Sequence, residues 1–265
     1  MNLKIIFFTL LLITSCATTT KGPRGEGGKA SVQLISSNIV MLDHKYFQIA
    51  YDQDKRLARY VVYQLTAENL SHKNADRKNK FKADPILKAK NIPYVLPSEY
   101  TRSNYDRGHL APAADFSWNQ EANDRTFVMS NMAPQSANLN RDAWKRLEGQ
   151  VRKWACGEKV ISVITGPVLR AGLPRLKSGL EIPQEFFKIV IDETPPVKMI
   201  SFIYHQNDRG DVLAKRLIPV NQIEEAIGIA LQREFPQLES QSLRMPAALN
   251  EWKEGDCAQA EGPQD

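Results

Sequence analysis

The sequence predicts an α+β fold, and three observations carry that prediction. Runs of β-branched and aromatic residues recur at residues 46–51, 58–65, 160–165, 186–191 and 198–205, each short enough to be a single strand. Residues 139–154 instead place Leu139, Ala143, Trp144, Leu147, Val151 and Trp154 three and four apart, the recurrence of an amphipathic helix. These runs follow one another without the regular strand–helix–strand spacing of a parallel sheet. With 42% hydrophobic and 25% charged residues in 265, no second composition regime and no internal repeat, one packed domain over residues 41–253 is the simplest organisation.

In chain order, Lys4 precedes an apolar run over residues 5–12 that only Thr9 interrupts. It is too short to span a bilayer comfortably and fits a signal peptide over residues 1–15. The run ends in Ile13-Thr14-Ser15-Cys16, the pattern of a bacterial lipobox, with cleavage before Cys16 and diacylglycerol on its thiol. The alternative is an ordinary signal peptide with an incidental cysteine. Ala17 does not read as an inner-membrane retention signal, so the expectation is an exported protein lipid-anchored to a bacterial membrane, the outer one in a Gram-negative cell. Cleavage leaves 250 of the 265 residues and, with Lys4 gone, lowers the formal charge from +5 to +4. Residues 16–40, rich in Thr, Gly, Lys and Ser, read as a flexible tether.

Asp52-Gln53-Asp54-Lys55 reads as the turn of a hairpin between the first two strands. Residues 71–90 then hold seven Lys/Arg against two Asp. Such a run is either a solvated loop or a rim that contacts phosphates. Asn207-Asp208-Arg209-Gly210 closes the last strand, and Asn221 with Glu224 reads as a capping box opening a helix to Leu231. Residues 254–265 form an acidic tail expected to be unstructured. With Cys16 lipidated, Cys156 and Cys257 remain as an even pair in an oxidising compartment, and a disulfide between them is expected.

The chemistry centres on Asp106-Arg107-Gly108-His109. An imidazole can accept a proton at neutral pH, the guanidinium of Arg107 suits phosphate oxygens, and Gly108 allows a close approach that a Cβ would block. Asn140 falls in the first turn of the long helix. Steps of four from it reach Trp144, Glu148 and Arg152, so Glu148 and Arg152 are neighbours on the helix surface. Taken alone, these two could be an exposed ion pair, Asn140 a helix cap, Asn131 a turn residue before Pro134, and His109 a structural histidine like His44, His72 and His205. No H-E-x-x-H pattern, C-x-x-C pair or serine-nucleophile elbow occurs, so zinc and serine chemistry have no support.

The ordered motifs DRGH, SNMAPQ, LN followed by Trp144 and LE, ITGPVL at 164–169, IPQEFFKIV at 182–190 and IEEAIGI at 223–229 resemble the DNA/RNA non-specific endonucleases of the ββα-metal superfamily. That family includes bacterial secreted nucleases and mitochondrial endonuclease G, and the resemblance covers residues 47–231. It implies a central, mainly antiparallel sheet flanked by helices, with a ββα finger holding His109 and Asn140. It implies His109 as general base and Asn140 as ligand of one divalent cation, Mg²⁺ with Mn²⁺ possible. Glu148 is implied to steady the cation's waters, Arg107 and Arg152 to hold the scissile phosphate, and Asn131 to be a further polar group of the site. The implied reaction hydrolyses DNA and RNA to 5′-phosphate ends, with activity falling on acidification as His109 becomes protonated. The alternative is a lipoprotein that captures nucleic acid on the same scaffold without cutting it. A homodimer is compatible with the sequence, which contains no feature specifying one.

Overall fold

The computed structural model describes residues 32–36, 38–231, 235 and 248–257. The signal peptide and Cys16 lie outside the described residues. Among those described, no helix is long and apolar enough to cross a membrane.

The architecture is α+β. Seven strands form one sheet: β1 (Val32–Ser36), β2 (Ile39–Asp43), β3 (Phe47–Asp52), β4 (Leu57–Thr66), β7 (Val160–Pro167), β8 (Glu185–Asp192) and β9 (Lys198–His205), in that spatial order and antiparallel throughout. The chain leaves the sheet after β4 and returns at β7. The excursion holds the short helices α1 (Ala67–Leu70), α2 (Pro85–Ala89) and α3 (Gln120–Arg125). It also holds a separate two-stranded ribbon of β5 (Asp106–His109) and β6 (Met132–Gln135), and the long helix α4 (Trp144–Glu158). Helix α5 (Val220–Ile227) follows β9.

Strand alternation sorts side chains onto two layers. From β4, Val61, Tyr63 and Leu65 join the larger core with α4, whereas Tyr60 turns to the other face. From β8, Phe186 and Val190 face the α4 layer, and Phe187, Ile189 and Ile191 face α5. Burial on both faces explains why these strands read as nearly continuous apolar runs. The β3–β4 turn forms because the Asp52 carboxylate accepts from the backbone N–H groups of Asp54 (3.1 Å) and Lys55 (3.0 Å).

Four boundaries differ from the sequence reading. The stretch read as tether already contains β1 and the start of β2, because residues 39–43 pair with β3. Helix α5 is capped by Pro219, with Asn221 inside its first turn, and ends at Ile227 rather than Leu231. Gly228 takes the left-handed conformation (φ 66°) and donates to the Glu224 carbonyl, stopping the helix. The long helix begins with a π turn, Leu139–Ala143, before α4 proper. Residues 254–257, read as part of an unstructured tail, pack on the end of α4, where Gly255 N–H donates to the Lys153 carbonyl.

That packing is close. A Cβ on Gly157 would sit 2.1 Å from the Lys253 carbonyl oxygen, so the strap and helix meet backbone to backbone. Trp252 stacks beside Trp154 with ring centres 5.3 Å apart, and Cys156 is joined to Cys257 by a disulfide that spans 101 residues of chain. Closing so long a loop restricts the unfolded chain most. Cys156→Ser is therefore expected to lower unfolding free energy by roughly 2–5 kcal/mol in denaturant titrations, and reduction of the wild type to lower it similarly; unchanged midpoints would show the crosslink to be dispensable.

Candidate active site

The ribbon and helix form one unit. Strand β6 hands the chain through Ser136 directly into the helix, whose start is fixed by the Ser136 hydroxyl accepting from Leu139 N–H at 3.1 Å. Gln206, just past β9, fastens the unit to the sheet. Its side-chain nitrogen donates to the carbonyls of Pro134 (2.8 Å) and Pro183 (2.7 Å), and its side-chain oxygen accepts from Ser136 N–H. The helix start is tied back to β5, since Asn140 donates to an Asp106 carboxylate oxygen at 3.0 Å while Arg141 grips both oxygens. Arg141 and Asn140 thereby hold the Asp106 carboxyl below the usual range against the cost of its partial burial.

His109 ends β5, opposite Met132, and is only 8% exposed. Its ring stands edge-on to Phe127 (5.0 Å, 88°) and near Phe81 (5.7 Å), and its Nε2 has no hydrogen-bond partner. Burial first, then the charges of Arg77 and Arg107, pull its pKa down to about 3. The imidazole is thus neutral well below the ordinary histidine range, and the expected loss of activity through His109 protonation near that range does not fit this environment.

Glu148 is the group placed to titrate there. Burial pushes its carboxyl up to about 7, only partly offset by Lys188, Arg152 and Arg77. It keeps some solvent contact, whereas Arg152, one turn on, is 7% exposed and donates to Asp115 at 2.9 Å. The other Asp115 oxygen accepts from the Tyr63 hydroxyl at 2.9 Å. The expectation that Arg152 grips the phosphate directly is corrected by this burial: its guanidinium is committed to Asp115. The helix opens with a π turn ahead of Trp144, Glu148 and Arg152, and from that turn the Asn140 nitrogen reaches β5 through Asp106.

Arg107 is half-exposed, with its guanidinium 4.2 Å from the Phe81 ring centre, and stays open to an anion. Asn131 is fully buried. Its oxygen accepts from Ala111 N–H (2.9 Å) and its nitrogen donates to the carbonyls of Ala111 and Thr126 (2.9 Å each). It therefore holds the loop that follows His109 and does not face the cleft. His44 is buried against Asp84, His72 is exposed, and His205 lies near Glu185.

Four residues of the site escaped sequence reasoning. Arg77 and Phe81 come from the basic run, which is drawn in because Lys82 bridges to Val128 and Asp84, gripped by His44 and Ser130, caps α2. Nothing in their spacing set them apart from neighbouring residues. Gln135 pairs across the ribbon with Asp106, and both ends of its buried amide lack partners. It covers Gly108, where a Cβ would be 2.1 Å from its side-chain oxygen, so any larger residue there would have to displace the Gln135 side chain. Lys188 was visible as a lone cation in the otherwise apolar 186–191 run.

Among the described residues no cluster of three or more His, Cys, Asp or Glu could hold a metal ion. Asn140 nevertheless suits a hard, hydrated cation. Its nitrogen is committed to Asp106, which leaves the amide oxygen as a donor, and the orphaned Gln135 amide beside it could serve bound water.

A two-stranded ribbon running into a helix, with an imidazole on the first strand and a carboxamide at the helix start, forms a ββα finger on an α+β scaffold. The chain belongs to the DNA/RNA non-specific endonuclease family, whose model matches residues 28–238. It is similar to a nuclease of a Nostoc species (36% identical over 164 residues, 62% of this chain and 58% of that one). It is also similar to mitochondrial endonuclease G of Homo sapiens (32%, covering 69% and 66%) and to a nuclease of Serratia marcescens (28%, covering 82% and 84%). The chain thus spans little more than half of the Nostoc relative's length. A chain from the crystal structure of the EndoG/EndoGI complex superposes with a TM-score of 0.63 at 28% identity, covering 71% of this chain and 83% of that one.

In carbon-detected NMR of the cation-free protein, the His109 ring is expected to stay unprotonated from about pH 5 to 9. The Glu148 carboxyl is expected to titrate near 7. A His109 midpoint near its ordinary value would show that burial does not govern it.

Proposed function

We propose that this chain is a divalent-cation-dependent endonuclease that hydrolyses DNA and RNA phosphodiesters without sequence preference, leaving 5′-phosphate ends. The observation that carries this reading is His109: a neutral imidazole with an unpartnered nitrogen, on the ribbon whose first residue holds the Asn140 carboxamide.

In this reading His109 Nε2 takes a proton from the attacking water. Phe81 and Phe127 fix the ring plane, and Asn131 fixes the loop behind it. Arg77 and Arg107 repel a proton from the ring at rest and hold the anionic phosphate, so substrate supplies the counter-charge that lets the ring become cationic. Asn140, oriented by Asp106, would hold a hydrated Mg²⁺ or Mn²⁺ through its oxygen, with Glu148 accepting from the ion's waters. Bound there, the cation supplies electrostatic stabilisation of the charge that develops on the phosphate and the leaving oxygen. Contacts from arginines and lysines to phosphates carry no base information, which accounts for the breadth of substrate. Export and a lipid anchor on Cys16 complete the proposal, resting on the lipobox pattern.

Purified protein is expected to nick plasmid and degrade RNA with Mg²⁺ and to stop on chelation. His109→Ala and Asn140→Ala are expected to lower turnover by about a hundredfold or more while nucleic acid is still bound; binding by the wild type without any cleavage would establish the capture reading instead. The exposed Lys78 and Lys80 sit beside Arg77 on the basic run. Converting both to Glu is expected to raise KM and to flatten the salt dependence of binding by roughly one slope unit for each phosphate the variant no longer neutralises; an unchanged slope would make that run a solvated loop.

A further inference from the structure

Lys188 stands in the middle of β8, in the row Phe186, Lys188, Val190 that faces α4. It is 0% exposed, its Nζ has no hydrogen-bond partner, and it lies 4.7 Å from the centre of the Trp144 ring. The indole face offsets part of the cost of burying an ammonium, but a methionine would fill the same space without that cost. Something other than packing is served by the charge.

The surrounding charges identify it. Lys188 is faced by Glu148 and Arg152 from α4 and by Asp115 from the turn that precedes α3. Asp115 is already committed to Arg152 and to Tyr63 on β4. Of the charges acting on Glu148, Lys188 is the strongest, ahead of Asp115, Arg152 and Arg77. Burial drives both groups toward their neutral forms, and each opposes that drive in the other.

We propose that Lys188 is a positioning residue for the nuclease reaction, its buried ammonium seated on Trp144 serving as the counter-charge that keeps Glu148 ionised beneath the cleft. This rests on the nuclease reading of the site. The lysine touches no substrate; it acts through the carboxylate.

The test compares Lys188→Met, Lys188→Gln and Lys188→Arg with wild type by thermal melting, NMR titration of the Glu148 carboxyl in the cation-free protein, and plasmid-cleavage kinetics against pH. Lys188→Met is expected to melt at the same temperature or higher. Its Glu148 titration and the acid limb of kcat are both expected to move up by at least about one pH unit. Turnover at pH 7 then falls about fivefold or more, with KM within about twofold of wild type, and recovers as pH is raised. Lys188→Arg, which keeps the charge, is expected to stay near the wild-type titration. An unmoved Glu148 titration in Lys188→Met, or a loss of turnover that higher pH does not restore, overturns the proposal. If the methionine variant does not fold, Lys188→Gln decides by the same titration. Absence of cleavage by the wild type would count against the nuclease reading alone, since the titration still reports on Lys188 and Glu148.

Discussion

The site depends on burying a helix whose inner face is not wholly apolar. Trp144, Leu147, Val151 and Trp154 drive α4 onto the sheet, and the same helix brings Arg152 onto Asp115, which Tyr63 also binds, and sets Glu148 within the fields of Lys188, Asp115 and Arg152. A buried charge is tolerated only where another offsets it. Two cations and two carboxylates meet under this helix, with a phenol to complete the hydrogen bonding. The apolar residues decide that the helix docks, and the charges bias the protonation state of the Glu148 carboxyl.

Placement of the ribbon follows from a second set of contacts. A two-stranded ribbon has little stability alone. Here Gln206 bonds three separate backbone segments and so joins β6, the helix entry and the loop before β8 in one junction. On the other side, Lys82, Asp84 and Val128 hold the basic run so that Phe81 and Arg77 arrive beside His109. The imidazole is thus framed by elements far apart in sequence, and its environment belongs to none of them singly.

That distribution explains what could be read from the chain. Strands 160–165, 186–191 and 198–205, the α+β class and the pairing of DRGH with the long helix were legible because hydrophobic period and local motif encode them. His109, Arg107, Asn140 and Glu148 were singled out through the family resemblance, and the structure puts His109 and Arg107 on β5, Asn140 at the helix start and Glu148 on α4. The burial of Arg152, the inward commitment of Asn131, and the arrival of Arg77 were not, since each depends on a tertiary partner: Asp115, Ala111 with Thr126, and the anchored basic run. The low basicity of His109 was hidden for the same cause, because desolvation is a property of the assembled fold. The capping-box reading at Asn221 failed where Pro219, one position ahead of the helix, set the boundary instead.

The wide turn over residues 139–143 makes segment length a chemical variable. A π turn advances less per residue than the roughly 100° of an α-helix, so it takes in an extra residue while the segments on either side keep their facing. Tightening the five residues of this turn to ordinary winding would rotate Asn140 about the axis relative to Glu148 and draw the carboxamide off Asp106, with the apolar contacts of α4 untouched. The path of the backbone at this point, and not the side chains alone, decides where the carboxamide lies.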